Sequence, residues 1–563
     1  MRAPLLMLAI GAGLSMAPAH ASDAPDEPTA GESTDSPLTW EVSGTFRVRG
    51  HMYGANSSKK QAFGALYDGQ ADAGTFLQQR LRLGIAARYE DLASLNLHLQ
   101  GMDDILWGDN ADYSSTALFA ADPSYTDRTG MEQSPDLRLF RAWVETRLPI
   151  GLLRVGRQSS HWGMGLLANH GDGFDDDFGE NYFGNTFDRV LFGTNPVSIA
   201  QALTGHEGPE IPLTFAVAVD RLVEDPLTQF YGYACTVGVR RDSDPDRYDR
   251  RCDMDGDGVT DLDHGYAEER VATDRTNDWW ADPEDDVWEM VYALIYQGED
   301  LDFMKGGHLT AGTYVINRLQ AETDSNVVIA DLFVDAASQG VELELEAVSI
   351  FGKTRGIVLP DSSQNDPLKK EAQILGYASR LSYGQDTWRV LAETGFASGD
   401  DQVNDGAFTG RPLHPDYNVG LLLYEEVLAH TTAQIWGDSA RGLWSNGGVY
   451  NSQYINPRVY LYPAADTEIV TGFLMAWPHK PDGAILRCTE DEVNDLACAL
   501  AQAEEKPLGW EIDVKVQQRW AKHLLASIEA GYAEVTDRVP LDIVGLNPKG
   551  EFFTLQSRIG WEF

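Results

Sequence analysis

The sequence predicts a transmembrane antiparallel β-barrel of about eighteen strands with long extracellular loops. Three observations carry this: a period-two alternation that starts at Leu38, connections that alternate short and long, and a last strand that ends on an aromatic residue. No uninterrupted apolar run after the N-terminal segment reaches the roughly 20 residues of a membrane helix. The chain is therefore either exported and soluble or a membrane barrel.

The N-terminus sets the compartment. Arg2 supplies a positive start, residues 5–14 a short apolar run, and Ala19-His20-Ala21 an A-x-A site. These features predict a signal peptide over 1–21, cleaved before Ser22. Residues 22–37, rich in Asp, Glu, Pro, Ser and Thr, read as a disordered acidic lead-in. The barrel occupies 38–563.

Along the barrel, Val42, Phe46, Val48 and Met52 alternate with Thr45, Arg47, Arg49 and His51. Leu77, Leu81, Leu83 and Ile85 alternate with Gln78, Arg80, Arg82 and Gly84, and the polar series continues to Arg88. Ala142, Val144 and Leu148 oppose Arg141, Glu145 and Arg147. Trp510, Ile512, Val514 and Val516 oppose Glu511, Asp513, Lys515 and Gln517. Such strands present one face to lipid and one to water. A soluble sandwich also alternates, so loop rhythm decides. Strands are expected to start near 40, 76, 93, 137, 151, 188, 213, 287, 307, 327, 341, 371, 386, 448, 466, 509, 523 and 550. Short connections fall at 91–92, 148–151, 338–340, 383–386 and 521–523. Long ones fall at 54–75, 108–136, 161–187, 224–286, 398–447 and 478–508. Short periplasmic turns with long outer loops are the outer-membrane pattern. The final strand places Phe553, Leu555, Ile559, Trp561 and Phe563 on one face and Gln556, Arg558 and Glu562 on the other. Its aromatic end is the kind of signal that barrel-assembly machinery reads.

The formal net charge of −44 argues against nucleic acid as a partner, since phosphate binding needs a basic surface. The four cysteines form two local pairs, Cys235 with Cys252 and Cys488 with Cys498, and an oxidising compartment favours disulfides within each. Three connectivities are open to four cysteines. Within the long loop 225–286, Asp253, Asp255, Asp257, the Val259 carbonyl, Asp261 and Asp263 are spaced to wrap a structural calcium ion. His264 stands where an EF-hand has its bidentate Glu, and the alternative is a solvated acidic loop. In 478–508, Thr489 and Glu492 form a capping box that predicts a short helix. Asp172, Asp175, Asp176, Asp177 and Glu180 form another acidic run, read as a solvated loop in preference to a second cation site.

The predicted pore lining has two sides. Arg47, Arg49, Arg80, Arg82, Arg88, Arg141, Arg147 and Arg154, with Glu145 among them, lie on early strands. Glu342, Glu344 and Glu346 lie on a later one, followed by Glu393, Glu511, Asp513 and Glu529. Opposed walls of this kind set a transverse field across a pore; the alternative is a set of ion pairs that stiffens a closed barrel. No catalytic motif is present, and Ser160 beside His161 is adjacency in sequence, not a nucleophile–base geometry.

Residues 156–192 read GRQSSHWGMGLLANHGDGFDDDFGENYFGNTFDRVLF. The segment resembles the signature of a family of predicted outer-membrane barrels from myxobacteria and related deltaproteobacteria. The matching residues are Gly156, Arg157, Ser160, His161, Trp162, Gly163, Gly165, Asn169, Gly171, Asp172, Asp188 and Arg189. Residues 414–417 (HPDY), 421–426 (LLLYEE) and 330–335 (ADLFVD) extend the likeness. The chain departs from the pattern at 181–185, which reads as an insertion, and the Asp-rich calcium loop lies outside it. The family implies a barrel and no established activity. Residues 153–158 (LRVGRQ) are also similar, more distantly, to alginate-export porins.

The expectation is an outer-membrane channel of a Gram-negative cell, with both termini periplasmic, passing small polar or anionic solutes. Its partners are lipid and lipopolysaccharide, the assembly machinery and the solute. The rival is a plugged surface or binding protein, with 398–447 as the plug and residues 418–430 its apolar part.

Overall fold

The computed structural model describes residues 37–55, 73–108, 138–173, 177–181, 184–205, 208–209, 211–224, 287–321, 324–355, 369–400, 406–429, 445, 447–480, 507–536, 539 and 550–563. The signal peptide, the calcium-type loop with Asp253, Asp255, Asp257, Val259, Asp261 and Asp263, the four cysteines Cys235, Cys252, Cys488 and Cys498, and the capping-box helix lie outside the described residues.

In chain order the strands are β1 (Leu38–Ala55), β2 (Ala73–Tyr89), β3 (Ala93–Gly108), β4 (Arg138–Leu148), β5 (Gly151–Ser160), β6 (Asn185–Thr194), β7 (Leu213–Glu224), β8 (Val287–Leu301), β9 (Gly307–Gln320) and β10 (Ser325–Ser338). They continue with β11 (Val341–Thr354), β12 (Lys370–Gln385), β13 (Trp388–Ala397), β14 (Ala407–Phe408), β15 (Ser452–Ala464), β16 (Thr467–Pro478), β17 (Gly509–Trp520), β18 (Leu524–Val535) and β19 (Glu551–Glu562). Each pairs antiparallel with its sequence neighbour, except that the two-residue β14 pairs parallel with β12 outside the ring, so β13 pairs with β15. β1 pairs with both β2 and β19, and the sheet closes. The result is a closed antiparallel barrel of 18 strands, as the sequence predicts. Every ring strand starts within four residues of its expected position.

Closure depends on the last residue. The Phe563 amide donates to the Gly44 carbonyl at 3.0 Å and the Gly44 amide donates back to Phe563 at 2.8 Å. A Cβ at Gly44 would stand 2.5 Å from the Arg82 carbonyl oxygen, so only glycine admits this approach. On β19 the outward residues Phe553, Leu555, Ile559 and Trp561 are exposed, while Thr554, Gln556 and Arg558 are buried inside. β17 repeats the pattern, with Ile512, Val514 and Val516 out and Glu511, Asp513 and Lys515 in.

Loop rhythm has two exceptions. The β9–β10 connection, at the end that otherwise holds the long loops, spans only 321–324. At the opposite end, 195–212 carries a helix, α1 (Pro196–Thr204), capped by Asn195, whose side chain accepts from the Val197 and Ser198 amides.

The hydrophobic core sits inside the ring. β7 to β10 are apolar on both faces: Phe215, Val219, Met290, Leu294 and Leu332 point out, and Ala216, Ala218, Val291, Ile295, Ile316, Ile329 and Phe333 point in. Two connections fold into the barrel and share one hydrophobic cluster with that inner apolar wall. Residues 161–181 bring Trp162, Met164, Leu166 and Phe178, and residues 411–429 bring Leu413, Tyr417, Leu421, Leu422, Leu423 and Val427. A π-helical turn, Leu423–Leu428, lies in the second.

Candidate functional site

Period two puts Arg47 and Arg49 on one face of β1, and register sets Arg47 opposite Arg80 on β2 and Arg49 opposite Arg558 on β19. Guanidiniums packed so closely repel unless carboxylates intervene. The carboxylates come from the inward β5–β6 loop. Glu180 takes ion pairs from Arg47, from Arg49 at 2.9 Å and from Arg558 at 3.7 Å. Glu529 on β18 adds Arg558 at 3.0 Å and Arg49 at 3.6 Å. Arg80 donates to the Asn181 carbonyl at 2.9 Å. Asp172 takes Arg82 at 2.9 Å and Arg141 at 2.6 Å. Asp177 takes Arg458 on β15 at 2.7 Å and the Tyr460 hydroxyl. One loop thus carries three carboxylates that fan out to β1, β2, β4, β15 and β19. Burial pushes the Glu180 carboxyl up, but Arg47, Arg49 and Arg558 outweigh it and hold the group well below the usual carboxylate range.

Wall carboxylates in turn receive the loops' amides. Glu346 on β11 accepts from the Met164 amide and from Leu166 at 3.2 Å, and Asp331 accepts from the Trp162 indole at 3.1 Å. Glu511 on β17 accepts three consecutive amides of the second segment, Leu421 at 2.6 Å, Leu422 at 2.8 Å and Leu423 at 2.7 Å. Glu393 on β13 accepts the hydroxyls of Tyr417 and Tyr454 at 2.8 and 2.7 Å. The two segments also join each other. The His414 amide donates to Leu166 at 2.8 Å, and the Gly184 amide donates to the Asp416 carboxylate at 2.8 Å. Together they form a partition across the lumen.

The resemblance motif is the hinge that turns the chain inward. Trp162 stacks on Tyr314 with ring centroids 5.1 Å apart, and His161 stacks on His170 at 4.3 Å. Gly163 has φ +56, and a Cβ there would stand 2.5 Å from a Glu346 oxygen. Gly156 also has positive φ, at +131. Arg189 makes a buried two-pronged pair with Asp220 at 2.7 and 2.5 Å and touches Ser160 at 3.2 Å. Ser160 Oγ lies 3.2 Å from the Tyr314 hydroxyl, and its described partners are Arg189 and Tyr314. Arg157 and Asp188, opposite each other in register, pair at 2.8 and 2.9 Å on the outer face.

The predicted pore-lining residues divide by depth. Arg47, Arg49, Arg80 and Arg141 are buried in the partition's contacts, and so is Glu346. Arg82 and Arg154 are slightly accessible, Arg154 pairing with Glu145 at 2.6 Å. Glu342 accepts from Ser382 at 3.3 Å, and Glu344 lies 3.9 Å from Arg380. Arg88 pairs with Glu41 at 3.0 Å with its side chain 49% exposed, and Arg147 is exposed; both sit at the short-turn rim. The reading of Asp172, Asp177 and Glu180 as a solvated acidic run is corrected: they are the counter-charges of the arginine wall. Asp175 and Asp176 lie outside the described residues. The walls are also less cleanly opposed than expected, because Arg318, Arg380 and Arg458 interleave with the later carboxylates. Sequence reasoning missed the pairing between loop and wall. The apolar residues Trp162, Met164, Leu166 and Leu167 beside the acidic run are the signal that the loop is buried.

Among solved structures, the chain is similar to a BenF-like porin from Pseudomonas fluorescens Pf-5 (TM-score 0.46, 9% identity, 93% of this chain and 98% of that one). It is also similar to Pseudomonas aeruginosa OpdQ (TM-score 0.45, 9% identity, 93% and 97%) and OprD (TM-score 0.44, 10% identity, 93% and 94%). No family model matches the chain, and no curated protein matches it. The family resemblance therefore rests on the motif residues at 156–192, 330–335, 414–417 and 421–426 alone.

Proposed function

We propose that the protein is an outer-membrane channel that lets small polar or anionic solutes pass beside the partition. One observation supports this above the others. The partition's backbone is buried, yet its charged face is wet: the Asp172 side chain is 35% exposed and that of Asp177 25%. On the surrounding wall the side chains of Arg82, Glu145, Arg154, Glu344 and Arg380 keep a smaller exposure, 11–24%. A lumen filled as a protein core is filled leaves no such charges in water. Arg82 on β2 and Arg154 on β5, the accessible arginines of the ion-paired file on β1, β2, β4 and β5, mark the side along which an anion is drawn. The apolar outer face fits lipid and lipopolysaccharide, with the termini and short turns periplasmic and the C-terminal strand presented to assembly machinery. The outer loop 225–286 would be held by calcium on Asp253, Asp255, Asp257, the Val259 carbonyl, Asp261 and Asp263, behind a Cys235–Cys252 bridge, with Cys488–Cys498 bracing 478–508.

Single-channel recording of the refolded protein under a salt gradient tests the reading. Steady open steps with anion preference are expected, and Arg82→Ala should move the reversal potential toward cations. A silent bilayer after verified insertion would overturn the channel in favour of a plugged barrel. For calcium, EDTA should speed protease cleavage within 225–286; unchanged cleavage kinetics would remove the ion.

A further inference from the structure

At the short-turn end of the lumen, three adjacent strands bring together two donors that the channel reading does not use, His308 and Asp335, and a third, Glu342, from the predicted pore lining. His308 is the second residue of β9, Asp335 lies near the end of β10 and Glu342 is the second residue of β11. Register sets His308 opposite Ala337, and Ala337 opposite Glu342, so one row of the inner wall reads His, Ala, Glu. The central methyl leaves the gap into which Asp335, two residues up the strand, reaches. The three side chains each offer a ligand atom, and these atoms all lie within 4.8 Å of one another. His308 Nε2 stands 3.1 Å from Asp335 Oδ2. The other Asp335 oxygen, Oδ1, is buried and has no hydrogen-bond partner among the described residues. Asp335 as a whole is 8% exposed. Ser382 on β12 donates to Glu342 at 3.3 Å and fixes that carboxylate from behind.

We propose that His308, Asp335 and Glu342 form a binding site for a divalent first-row transition cation such as Zn2+, at the short-turn mouth of the lumen. An imidazole nitrogen with two carboxylates is a donor set for such ions, whereas calcium and magnesium take oxygen alone. Three protein ligands leave a fourth position for water or a passing anion. The orphaned Asp335 oxygen and the neighbouring Glu342 charge both gain a cation. On binding, the proton on His308 Nε2 moves to Nδ1 or to solvent, so that Nε2 can ligate. Contraction from the present spacing to metal–ligand distances of about 2.0–2.2 Å needs only rotamer adjustment of His308 and Glu342, both of which are partly accessible.

The site stands whether or not the barrel conducts, so its test is direct. Zn2+ is titrated calorimetrically into the refolded full-length barrel in saturating Ca2+, which occupies the oxygen-only loops. One saturable equivalent is expected, weakened at least about tenfold in His308→Ala and in Glu342→Gln, by analogy with loss of a metal-orienting contact. His523→Ala, which removes another histidine at the same end, should bind as the parent does. Co2+ substitution should give visible absorption bands that vanish in His308→Ala. Equal Zn2+ affinity in parent and His308→Ala, or no saturable Zn2+ binding at all, would overturn the site.

Discussion

At the scale of the residue, Glu180 decides most. Its carboxylate sits between three arginines from two neighbouring strands, and side chains on both sides of the pairs are 3% exposed or less. A buried pair broken on one side leaves uncompensated charge and costs about 3–5 kcal/mol. Glu180→Gln keeps the shape and removes the charge, so the thermal midpoint of the refolded barrel should fall clearly, and Glu41→Gln at the exposed rim should not move it. Equal midpoints would show that the arginines are screened by water after all. Nothing about Glu180 in sequence separates it from Asp175 or Asp176. What singles it out is position: the chain has to turn at Trp162 and Gly163 before residue 180 can meet β1.

At the scale of the element, strands were legible and so was one inward connection, the apolar stretch within 411–429, whereas the inward turn at Trp162 was not. A strand's alternation is local, set by the pleat, and therefore survives reading one residue at a time. Val514 and Lys515 announce their faces with no knowledge of the rest of the barrel. β7 to β10 are the exception, largely apolar on both faces, and Trp162 packs on β9 and β10 from inside, stacking on Tyr314 and donating to Asp331. The lipid-facing assignment is testable on β19. Ile559 is 60% exposed on the outer face, and Ile559→Arg places a charge against lipid at a cost of at most about 2–4 kcal/mol, the value at the midplane. Folding yield into vesicles should fall sharply for this variant, and Ser557→Thr on the same face should fold as the parent does. Indifference to Ile559→Arg would mean that this face does not meet hydrocarbon.

At the scale of the whole molecule, closure is the governing fact. β1 and β19 lie at opposite ends of the chain, and the Gly44–Phe563 bonds join them. A closed ring leaves no free edge, and every ladder bond must break for it to unravel. The unheated protein should accordingly migrate faster than the boiled protein in SDS gels. One position for both samples, with a helical circular dichroism spectrum, would contradict the ring. The strand number, the strand faces, the aromatic closing residue and the side on which each inward arginine lies were all determined by the sequence, because each follows from a period or a residue type at short range. Which carboxylate answers which arginine, that the chain after Trp162 turns inward to join 411–429, and that His308, Asp335 and Glu342 converge were decided only by the tertiary structure. Those contacts join residues up to several hundred positions apart, and only the register of a closed sheet brings them within reach.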